Sequence, residues 1–412
     1  MHGLILREGT PEEAGMDPVR VARLRDLLAG WVACGDTPSA AACVARRGVI
    51  VLHEAYGVLH HGDTTPTLRR DSIFPIASCT KPLTAAAIMC LVDDGLIGLN
   101  RPFVDYVPEL DRPEVEGLTS ATVADLLCHT SGIDDPTATH FILNTRGWET
   151  EVPLPPPGRH PTVNKIIHLM AGMPLWRPPG TAMLYSAFGY YLLGDIVRQV
   201  SGQSLWRFAQ ARLFEPLGMY DSTYVLPPEA RHRRVLRAPG VPGTAALPPW
   251  WLGIDSAETD ALDSGSSGVS STARDLTVFA QMLLNSGTYG DRRILSRASV
   301  IAMTRPQIDT NIAQLMSSVD PVTGERKDYK TNRGGYGFGF AVLAEGDRYR
   351  INGSLASVSA FGHGGLGGTH FWADPDQDLA GAYFSVSPRW DRNLYLTNID
   401  LFMNAVHAAI ID

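Results

Sequence analysis

Strand-like segments lie at both ends of this sequence, and helical segments fill the stretch between them. Residues 39–59 contain two largely apolar runs on either side of Arg46, Arg47 and Gly48, a spacing that predicts a hairpin with glycine in its turn. The C-terminal third contains runs that predict short strands: GFGFAVLAEG, RYRING, GGTHFWADP and LAGAYFSVS. An amphipathic helix is predicted over residues 17–34, and a closing helix over LTNIDLFMNAVHAAI. We therefore expect both chain ends to share one central antiparallel sheet flanked by the terminal helices.

The middle of the chain carries helical patterns, most of them followed by glycine: KPLTAAAIMCLVDDG, TVADLLCHTSG, SAFGYYLLGDIVRQVSG, SLWRFAQARLFEPLG and ARDLTVFAQMLLNSG. We expect an inserted helical domain over residues 77–264 and an α/β sheet domain formed by residues 1–76 and 265–412. The cleft between the two domains is the expected site of chemistry. Two proline-rich stretches, 152–161 and 238–252, are predicted loops beside it. Trp250 and Trp251 either form an apolar wall of the cleft or pack against the body of the protein.

The charge balance argues against nucleic acid or a membrane surface as a partner. The 412 residues include 35 Lys and Arg against 43 Asp and Glu, a formal net charge of −8 at pH 7, whereas such partners require a basic surface. We interpret Arg231, Arg233, Arg234 and Arg237 as a solvated surface run. The N-terminus resembles no secretory signal, and no run of about 18 apolar residues occurs. Because the five cysteines form no CxxC pair, we expect reduced thiols and a cytoplasmic location.

Ser78 stands three residues before Lys81, at the predicted start of a helix that continues to about residue 94. A helix N-terminus offers free N–H groups and a positive dipole end, and a side chain nearly one turn on shares its face. A desolvated ammonium loses proton affinity, so Lys81 can act as a base toward Ser78 or stabilise a nearby phenolate. The alternative is an N-cap serine beside a solvated lysine.

The order of motifs resembles the serine β-lactamase and penicillin-binding protein superfamily. After Ser78-x-x-Lys81 come LLCHTSGI at 126–133, PGTAMLYSAFGYYLLGDIVRQVSGQSL at 179–205, SSTARDLTVFAQMLLNSG at 270–287, GFGF as a strand start at 337–340 and GHGGLGGTHFWADP at 362–375. The chain looks closest to the class C β-lactamase-like branch that includes the family VIII carboxylesterases. The resemblance implies a β-lactamase-like α/β (α+β) fold with an inserted all-helical domain.

The resemblance also implies roles for particular residues. Ser78 and Lys81 fall on the family's first motif, and Tyr185 falls on the tyrosine of Tyr-x-Asn, which implies a nucleophile, a base and a proton shuttle. The third motif, Lys-Thr-Gly, falls on the three residues from His363 to Gly365. The N–H of Leu366 would then join that of Ser78 in an oxyanion hole. Alternatively, Tyr185 only packs beside a helix, and His363 is a core or strand-edge histidine.

Two departures from the family pattern bear on the substrate. Ala187 stands where lactam-processing relatives carry Asn, and His363 stands where they carry Lys. An imidazole that is largely neutral at pH 7 attracts a substrate carboxylate far less than an ammonium does. We therefore expect a serine carboxylesterase that acts on a small-molecule ester through an acyl-enzyme on Ser78. The alternatives are an amide-bond hydrolase (a D-aminopeptidase, amidase or β-lactamase), an acyltransferase, and a non-catalytic scaffold.

Other catalytic signals in the sequence are weaker. Ser267 lies in the run from Gly265 to Gly268, which misses the G-x-S-x-G elbow of α/β-hydrolases by one position. His129 is either the base of a triad or part of a structural turn, as in the family resembled. HExxH, GxxxxGK[ST] and a helix-leading GxGxxG are all missing, so we expect no metal and no cofactor.

Overall fold

The computed structural model describes residues 3–60, 67–236, 264–309, 311–319, 326–330, 335–343, 352–386 and 392–412. The second proline-rich loop with Trp250 and Trp251, most of the RYRING run and Arg237 lie outside these residues. The helices are α1 Pro18–Ala33, α2 Thr80–Asp93, α3 Val123–Leu127, α4 Asp135–His140, α5 Pro161–Met170, α6 Ala187–Ser201, α7 Leu205–Ala209, α8 Glu215–Leu217, α9 Ala273–Leu284, α10 Arg297–Thr304 and α11 Arg392–Ala408. The strands are β1 Arg7–Glu8, β2 Ser39–Arg46, β3 Val49–Gly57, β4 Phe74–Pro75, β5 Ala182–Leu184, β6 Ser270–Ser271, β7 Thr288–Tyr289, β8 Arg292–Arg293, β9 Ala313–Val319, β10 Arg326–Lys330, β11 Gly335–Tyr336, β12 Ala341–Val342, β13 Phe361–Gly365, β14 Thr369–Asp374 and β15 Leu379–Ser385.

A large sheet joins the two ends of the chain in the order β1-β3-β2-β15-β14-β13-β12-β11. The strand pairs are antiparallel except that β1 runs parallel to β3 at one edge. The pairing of β2 with β15 links N-terminal and C-terminal segments over seven residue pairs. The predicted sheet built from both chain ends is confirmed, and the parallel edge strand makes it mixed.

The β2–β3 hairpin turns where the sequence predicted. Arg47 and Gly48 have φ angles of 54° and 77°, as a two-residue type I′ turn requires. Because a strand alternates its side chains, Ala41, Cys43 and Ala45 enter the core on one face of the sheet, while Ala40 and Val44 enter the core on the other. Both faces of β2 are thus buried, which explains why this strand is apolar throughout.

Helices cover both faces of the sheet. On one face, α1 and α11 pack together and bury Leu24, Leu28 and Phe402 against strand residues that include Trp372. On the other face, α9 packs on β2, β14 and β15, and α2 belongs to the same core. Every residue of α2 from Thr80 to Leu91 is buried, as expected for a helix surrounded by protein. The predicted helices at 17–34 and at the C-terminal end are confirmed.

The helices from α3 to α8 pack mainly on one another and on α2. Helix α6 contacts α2, α3 and α7. A buried ion network joins Arg159 to Asp195 and Glu109 and joins Arg198 to the same Asp195, so each buried charge has a partner. The domain boundaries at 76/77 and 264/265 stay a prediction.

Two expectations from the sequence are wrong. The GFGF residues at 337–340 form the bend between β11 and β12 rather than the start of a strand. Gly339 has a φ of 88°, and a Cβ there would lie 2.5 Å from the Ala85 Cβ, so glycine lets the chain bend closely over α2. The arginine cluster is not wholly solvated, because Arg234 is 8% exposed and Arg233 pairs with Asp221.

Among the residues that the structure describes, no helix is long and apolar enough to cross a membrane. The same residues contain no group of three or more His, Cys, Asp or Glu side chains that could hold a metal ion.

Candidate active site

A strained turn presents Ser78 at the start of α2. Residues Ala77–Cys79 form one 3-10 turn, and Ala77 has a φ of 47°, in the left-handed region that L residues avoid. Ala77 and Cys79 are buried, whereas Ser78 is partly exposed. The Cys79 thiol donates to the His363 carbonyl oxygen at 3.2 Å. This turn is therefore tied to β13 while the Ser78 side chain keeps access to solvent.

Lys81 is buried beside Ser78. Its side chain extends from the first turn of α2, the residue is 1% exposed, and its Nζ lies 3.2 Å from Ser78 Oγ. Nζ also lies 4.7 Å from the centre of the Tyr185 ring and 5.5 Å from that of Tyr190. Burial lowers the Lys81 pKa from 10.5 to about 7, although the nearby Asp135 carboxylate opposes this shift. A solvated Lys81, the alternative considered from the sequence, is therefore wrong.

Ser266 is the second partner of Lys81, and sequence reasoning missed it. Lys81 Nζ donates to Ser266 Oγ at 2.9 Å and to the Ser266 carbonyl oxygen at 3.3 Å. Thr84 Oγ1 donates to the Gly265 carbonyl oxygen at 2.8 Å, so α2 itself holds the Ser266 segment. A Cβ at Gly265 would lie 2.3 Å from the Tyr190 carbonyl oxygen. Only small residues allow so close an approach. The run of glycine and serine from 265 to 268 is therefore the sequence signal that could have indicated this part of the site.

Tyr185 lies between β5 and α6, where its backbone is fixed from both sides. It is partly exposed, as Ser78 is. Ser186 is the N-cap of α6 and accepts from the Gly189 N–H at 3.3 Å. Asp135 accepts from Ser186 Oγ at 2.9 Å and from the Ala187 N–H at 2.7 Å. The negative charge of this carboxylate interacts favourably with the positive end of the α6 dipole. Its hydrogen bonds also fix the turn that carries Tyr185.

His363 lies on β13 with both ring nitrogens engaged. Its Nδ1 is 2.8 Å from the Gly364 carbonyl oxygen, which can only accept, so Nδ1 carries the proton. Its Nε2 therefore accepts from the Tyr336 hydroxyl at 3.0 Å. Burial, with a smaller contribution from the Lys81 charge, lowers the His363 pKa to about 3. The imidazole is thus neutral near pH 7, and its two nitrogens are used within the protein.

Gly365 ends β13 against the Ser78 turn. A Cβ at this glycine would lie 2.2 Å from the Ile76 carbonyl oxygen and 2.1 Å from Thr369 Oγ1. Thr369 Oγ1 also donates to that Ile76 oxygen at 3.0 Å. Only glycine allows this contact, which brings the β13 end and the following Leu366 to the N-terminus of α2.

The structure brings together residues from distant parts of the sequence: Ser78, Lys81, Tyr185, His363 and Gly365 form one neighbourhood with Ser266 and Tyr336. Sequence reasoning also left Tyr336 and Asp135 out of the site. Neither residue has a motif of its own, since Tyr336 stands just before GFGF and Asp135 in the segment after HTSG.

Comparison with known proteins shows the family to which the chain belongs. The beta-lactamase family model matches residues 24–401. The chain belongs to the beta-lactamase family. Within it, the chain is 36% identical over 262 residues to penicillin-binding protein 4 of Amycolatopsis lactamdurans, an alignment that covers 62% of each protein. The alignment thus spans less than two thirds of that relative.

Solved structures share the fold. The hydrolase EstCE1, which has promiscuous acyltransferase activity, superposes with a TM-score of 0.72 at 18% identity, over 94% of this chain and 99% of that one. A family VIII carboxylesterase superposes with a TM-score of 0.66 at 23% identity, again over 94% and 99% of the two chains. The chain belongs to the β-lactamase and penicillin-binding protein superfamily, and its central mixed sheet flanked by helices is the β-lactamase-like fold.

Proposed function

We propose that the protein cleaves carboxylic esters through an acyl-enzyme on Ser78. The observation that carries the proposal is the buried Lys81, whose Nζ lies 3.2 Å from Ser78 Oγ and whose pKa is about 7. A base with a pKa near the working pH combines a large unprotonated fraction with useful basicity. Tyr185, with its ring next to the same Nζ, is the second proton-transfer group.

In the proposed reaction, Lys81 and Tyr185 remove the Ser78 proton as Oγ bonds to the ester carbonyl carbon. The N–H groups of Ser78 and Leu366 stabilise the oxyanion. Collapse of the tetrahedral intermediate breaks the C–O bond to the alcohol, which leaves with the transferred proton. Water activated by Tyr185, with Lys81 nearby, then attacks the acyl carbon and restores Ser78. If an alcohol or amine attacks instead of water, the same residues perform acyl transfer.

The groups around the serine favour esters over lactams and peptides. Ala187 offers no side-chain amide to hold an acyl-amide group. His363 is neutral, and both of its nitrogens are engaged by Tyr336 and Gly364. It therefore offers neither charge nor a free donor to a substrate carboxylate, and we propose that it shapes the strand edge of the site.

We also propose that this site lies between a helical domain of residues 77–264 and a sheet domain of residues 1–76 and 265–412, and that the protein is cytoplasmic. Ser78 and Tyr185 belong to the helical part and His363 to the sheet part, which supports a site at their border. Cell fractionation checks the location, and recovery of the protein outside the cytoplasm would contradict it.

The test compares hydrolysis of p-nitrophenyl acetate, butyrate and octanoate with hydrolysis of a chromogenic cephalosporin, in wild type and Ser78→Ala. We expect ester turnover that disappears in Ser78→Ala, with little attack on the cephalosporin. Near-normal ester turnover by Ser78→Ala would contradict the mechanism, and faster cephalosporin turnover than ester turnover would contradict the substrate class. Absence of both turnover and labelling by a fluorophosphonate probe would instead indicate a scaffold.

An amide-bond hydrolase is the second candidate. In its proposed proton-transfer role, Tyr185 would supply the proton that a poor amine leaving group needs, and the chain is similar to penicillin-binding protein 4. Ala187→Asn tests the distinction, because it restores the amide that lactam-processing relatives carry. We expect a higher ratio of cephalosporin to ester turnover in this variant; wild-type turnover of amide substrates at rates comparable to esters would favour the second candidate.

A further inference from the structure

His129, in the HTSG turn after α3, adopts a backbone conformation that is uncommon for residues other than glycine. It is 1% exposed, and its φ of 63° lies in the left-handed region. Strained residues of this kind persist where the surrounding structure fixes them, and they cluster at functional sites. The turn is held to the segment that leads to Tyr185, since Gly180 N–H donates to the Thr130 carbonyl oxygen at 2.8 Å.

His129 binds the residues on both sides of Tyr185. Its carbonyl oxygen accepts from the Leu184 N–H at 2.7 Å. Its Nδ1 accepts from the Ser186 N–H at 3.1 Å. One residue therefore fixes the backbone immediately before and immediately after the tyrosine.

The imidazole also packs against the Tyr185 ring. The two ring centres lie 4.5 Å apart, and the rings of Tyr190 and Tyr336 lie 5.1 Å and 5.0 Å from His129. The ring is neutral, because burial lowers the His129 pKa well below its usual value and the nearby Lys81 ammonium opposes a second proton. Neutrality is required, since a protonated Nδ1 could not accept from Ser186.

These contacts leave His129 unable to act as a catalytic base. Its Nδ1 lone pair is used by the Ser186 N–H, so the ring proton of the neutral imidazole is on Nε2. No nitrogen is free to take a proton from a serine. The triad-base role considered from the sequence is therefore wrong, and the strained conformation needs another explanation.

We propose that His129 is the positioning residue of Tyr185: its carbonyl oxygen and Nδ1 fix the flanking backbone while its ring sets the orientation of the phenol toward Lys81 and Ser78. This inference rests on the proposed function, because it assigns Tyr185 a role in proton transfer. Displacement of a catalytic group by about 1 Å can lower a rate by about a hundredfold, so loss of this support should appear in catalysis before it appears in folding.

Three substitutions separate the acceptor from the backbone conformation. In His129→Asn, Oδ1 is the same number of bonds from Cα as Nδ1, and asparagine tolerates a positive φ. His129→Gln moves the amide oxygen one bond further out, and His129→Gly accepts the backbone conformation without any acceptor. His140→Asn is the control, since His140 is exposed on α4.

The first readout is the second-order rate constant for labelling of Ser78 by a fluorophosphonate probe, which requires no knowledge of the substrate. The second is kcat and KM for p-nitrophenyl butyrate, measured well below the unfolding temperature. We expect His129→Gly and His129→Gln to lose about 10- to 100-fold in labelling and kcat, with KM changed less than about twofold. His129→Asn should recover to within about fivefold of wild type. The pH midpoint of labelling should stay in place, because none of these substitutions changes a charge.

The inference would be overturned if folded His129→Gly and His129→Gln were labelled at the wild-type rate. It would also be overturned if His129→Asn were labelled no faster than His129→Gln. If His129→Gly does not fold, the comparison of Asn with Gln decides. Ser78→Ala and wild type are labelled in parallel. Labelling of wild type but not of Ser78→Ala supports the proposed nucleophile, so normal rates in the His129 variants then refute the positioning role alone. Failure to label wild type refutes both.

Discussion

Replacing Lys81 by methionine should stabilise the protein while it abolishes catalysis. Met is close to Lys in length and carries no charge, so Lys81→Met fills the same buried space without an ionisable group. The Lys81 pKa falls from 10.5 to about 7 in the folded protein because burial disfavours the ammonium. The unfolded chain therefore binds a proton that the folded chain releases between these two pH values, and stability must rise with pH across that window.

The magnitude follows from the difference between the two pKa values. At about 1.4 kcal/mol per pKa unit, the difference between 10.5 and about 7 corresponds to roughly 5 kcal/mol. This destabilisation is fully present below pH 7 and disappears as the pH rises past 10.5. At pH 7 folded Lys81 is about half protonated, so about 4 kcal/mol of this destabilisation is present. Methionine removes it but leaves the Ser266 oxygens without the Lys81 donor, at about 1–3 kcal/mol in total. We expect a net gain of about 1–3 kcal/mol at pH 7, and a difference from wild type that changes by about 3–4 kcal/mol between pH 7 and pH 10.

The assay is urea unfolding of wild type, Lys81→Met and Lys327→Met at pH 7 and pH 10. Lys327 is exposed on β10, so its replacement controls for the loss of one positive charge in water. Comparing variants at each pH cancels the titration of all other groups. If Lys81→Met is less stable than wild type at pH 7, and the difference is the same at pH 10, then Lys81 does not have a lowered pKa and cannot be the base.

Three further outcomes are expected. The rate of Ser78 labelling should rise about tenfold from pH 6 to pH 8 as Lys81 loses its proton. Asp135→Asn should move the midpoint of this pH profile to lower pH, because the Asp135 charge raises the Lys81 pKa. An unmoved midpoint would contradict this coupling. Ser266→Ala should lower kcat about five- to tenfold, because it removes one hydrogen bond to Lys81 Nζ. Ser267→Ala leaves that bond in place and should not lower kcat. Equal kcat values for the two variants would refute the role of Ser266 as a partner of Lys81. Gly365→Ala should reduce both kcat and the free energy of unfolding, the latter by about 1–3 kcal/mol, because its Cβ would lie 2.2 Å from the Ile76 oxygen; unchanged urea midpoints would show that β13 can move away.

Much of the fold could be predicted because its signals are local. The period of residues 17–34 identified α1, and Arg47-Gly48 between apolar runs identified the hairpin. The bend at 337–340 was missed because its cause is tertiary: Gly339 accommodates Ala85 of α2, which lies far away in the sequence. Arg234 was misjudged for a similar reason, since a run of arginines does not reveal which member the fold buries.

The residues of the candidate site also divide into those with a local sequence signal and those that only tertiary contacts reveal. Ser78 and Lys81 are a local pair, and their spacing was enough to bring them into consideration. Ser266 lies 185 residues from Lys81, and a serine within a run of small residues has no periodicity that indicates a partner. The resemblance to a known family identified Tyr185, but the groups that fix its position, Asp135 and His129, became apparent only from hydrogen bonds in the folded chain.

Backbone strain and buried charge meet at the same place in this molecule. Among the described residues, five other than glycine have a positive φ. Arg47, Ser286 and Asp378 lie in turns between elements, where such a conformation reverses the chain. The other two are Ala77, immediately before Ser78, and His129, which binds both neighbours of Tyr185. Together with Lys81, these residues place unfavourable backbone and desolvation energies around one hydroxyl group. A fold selected for stability alone would avoid all three, so their convergence supports the proposed role of Ser78 as nucleophile better than a role in packing.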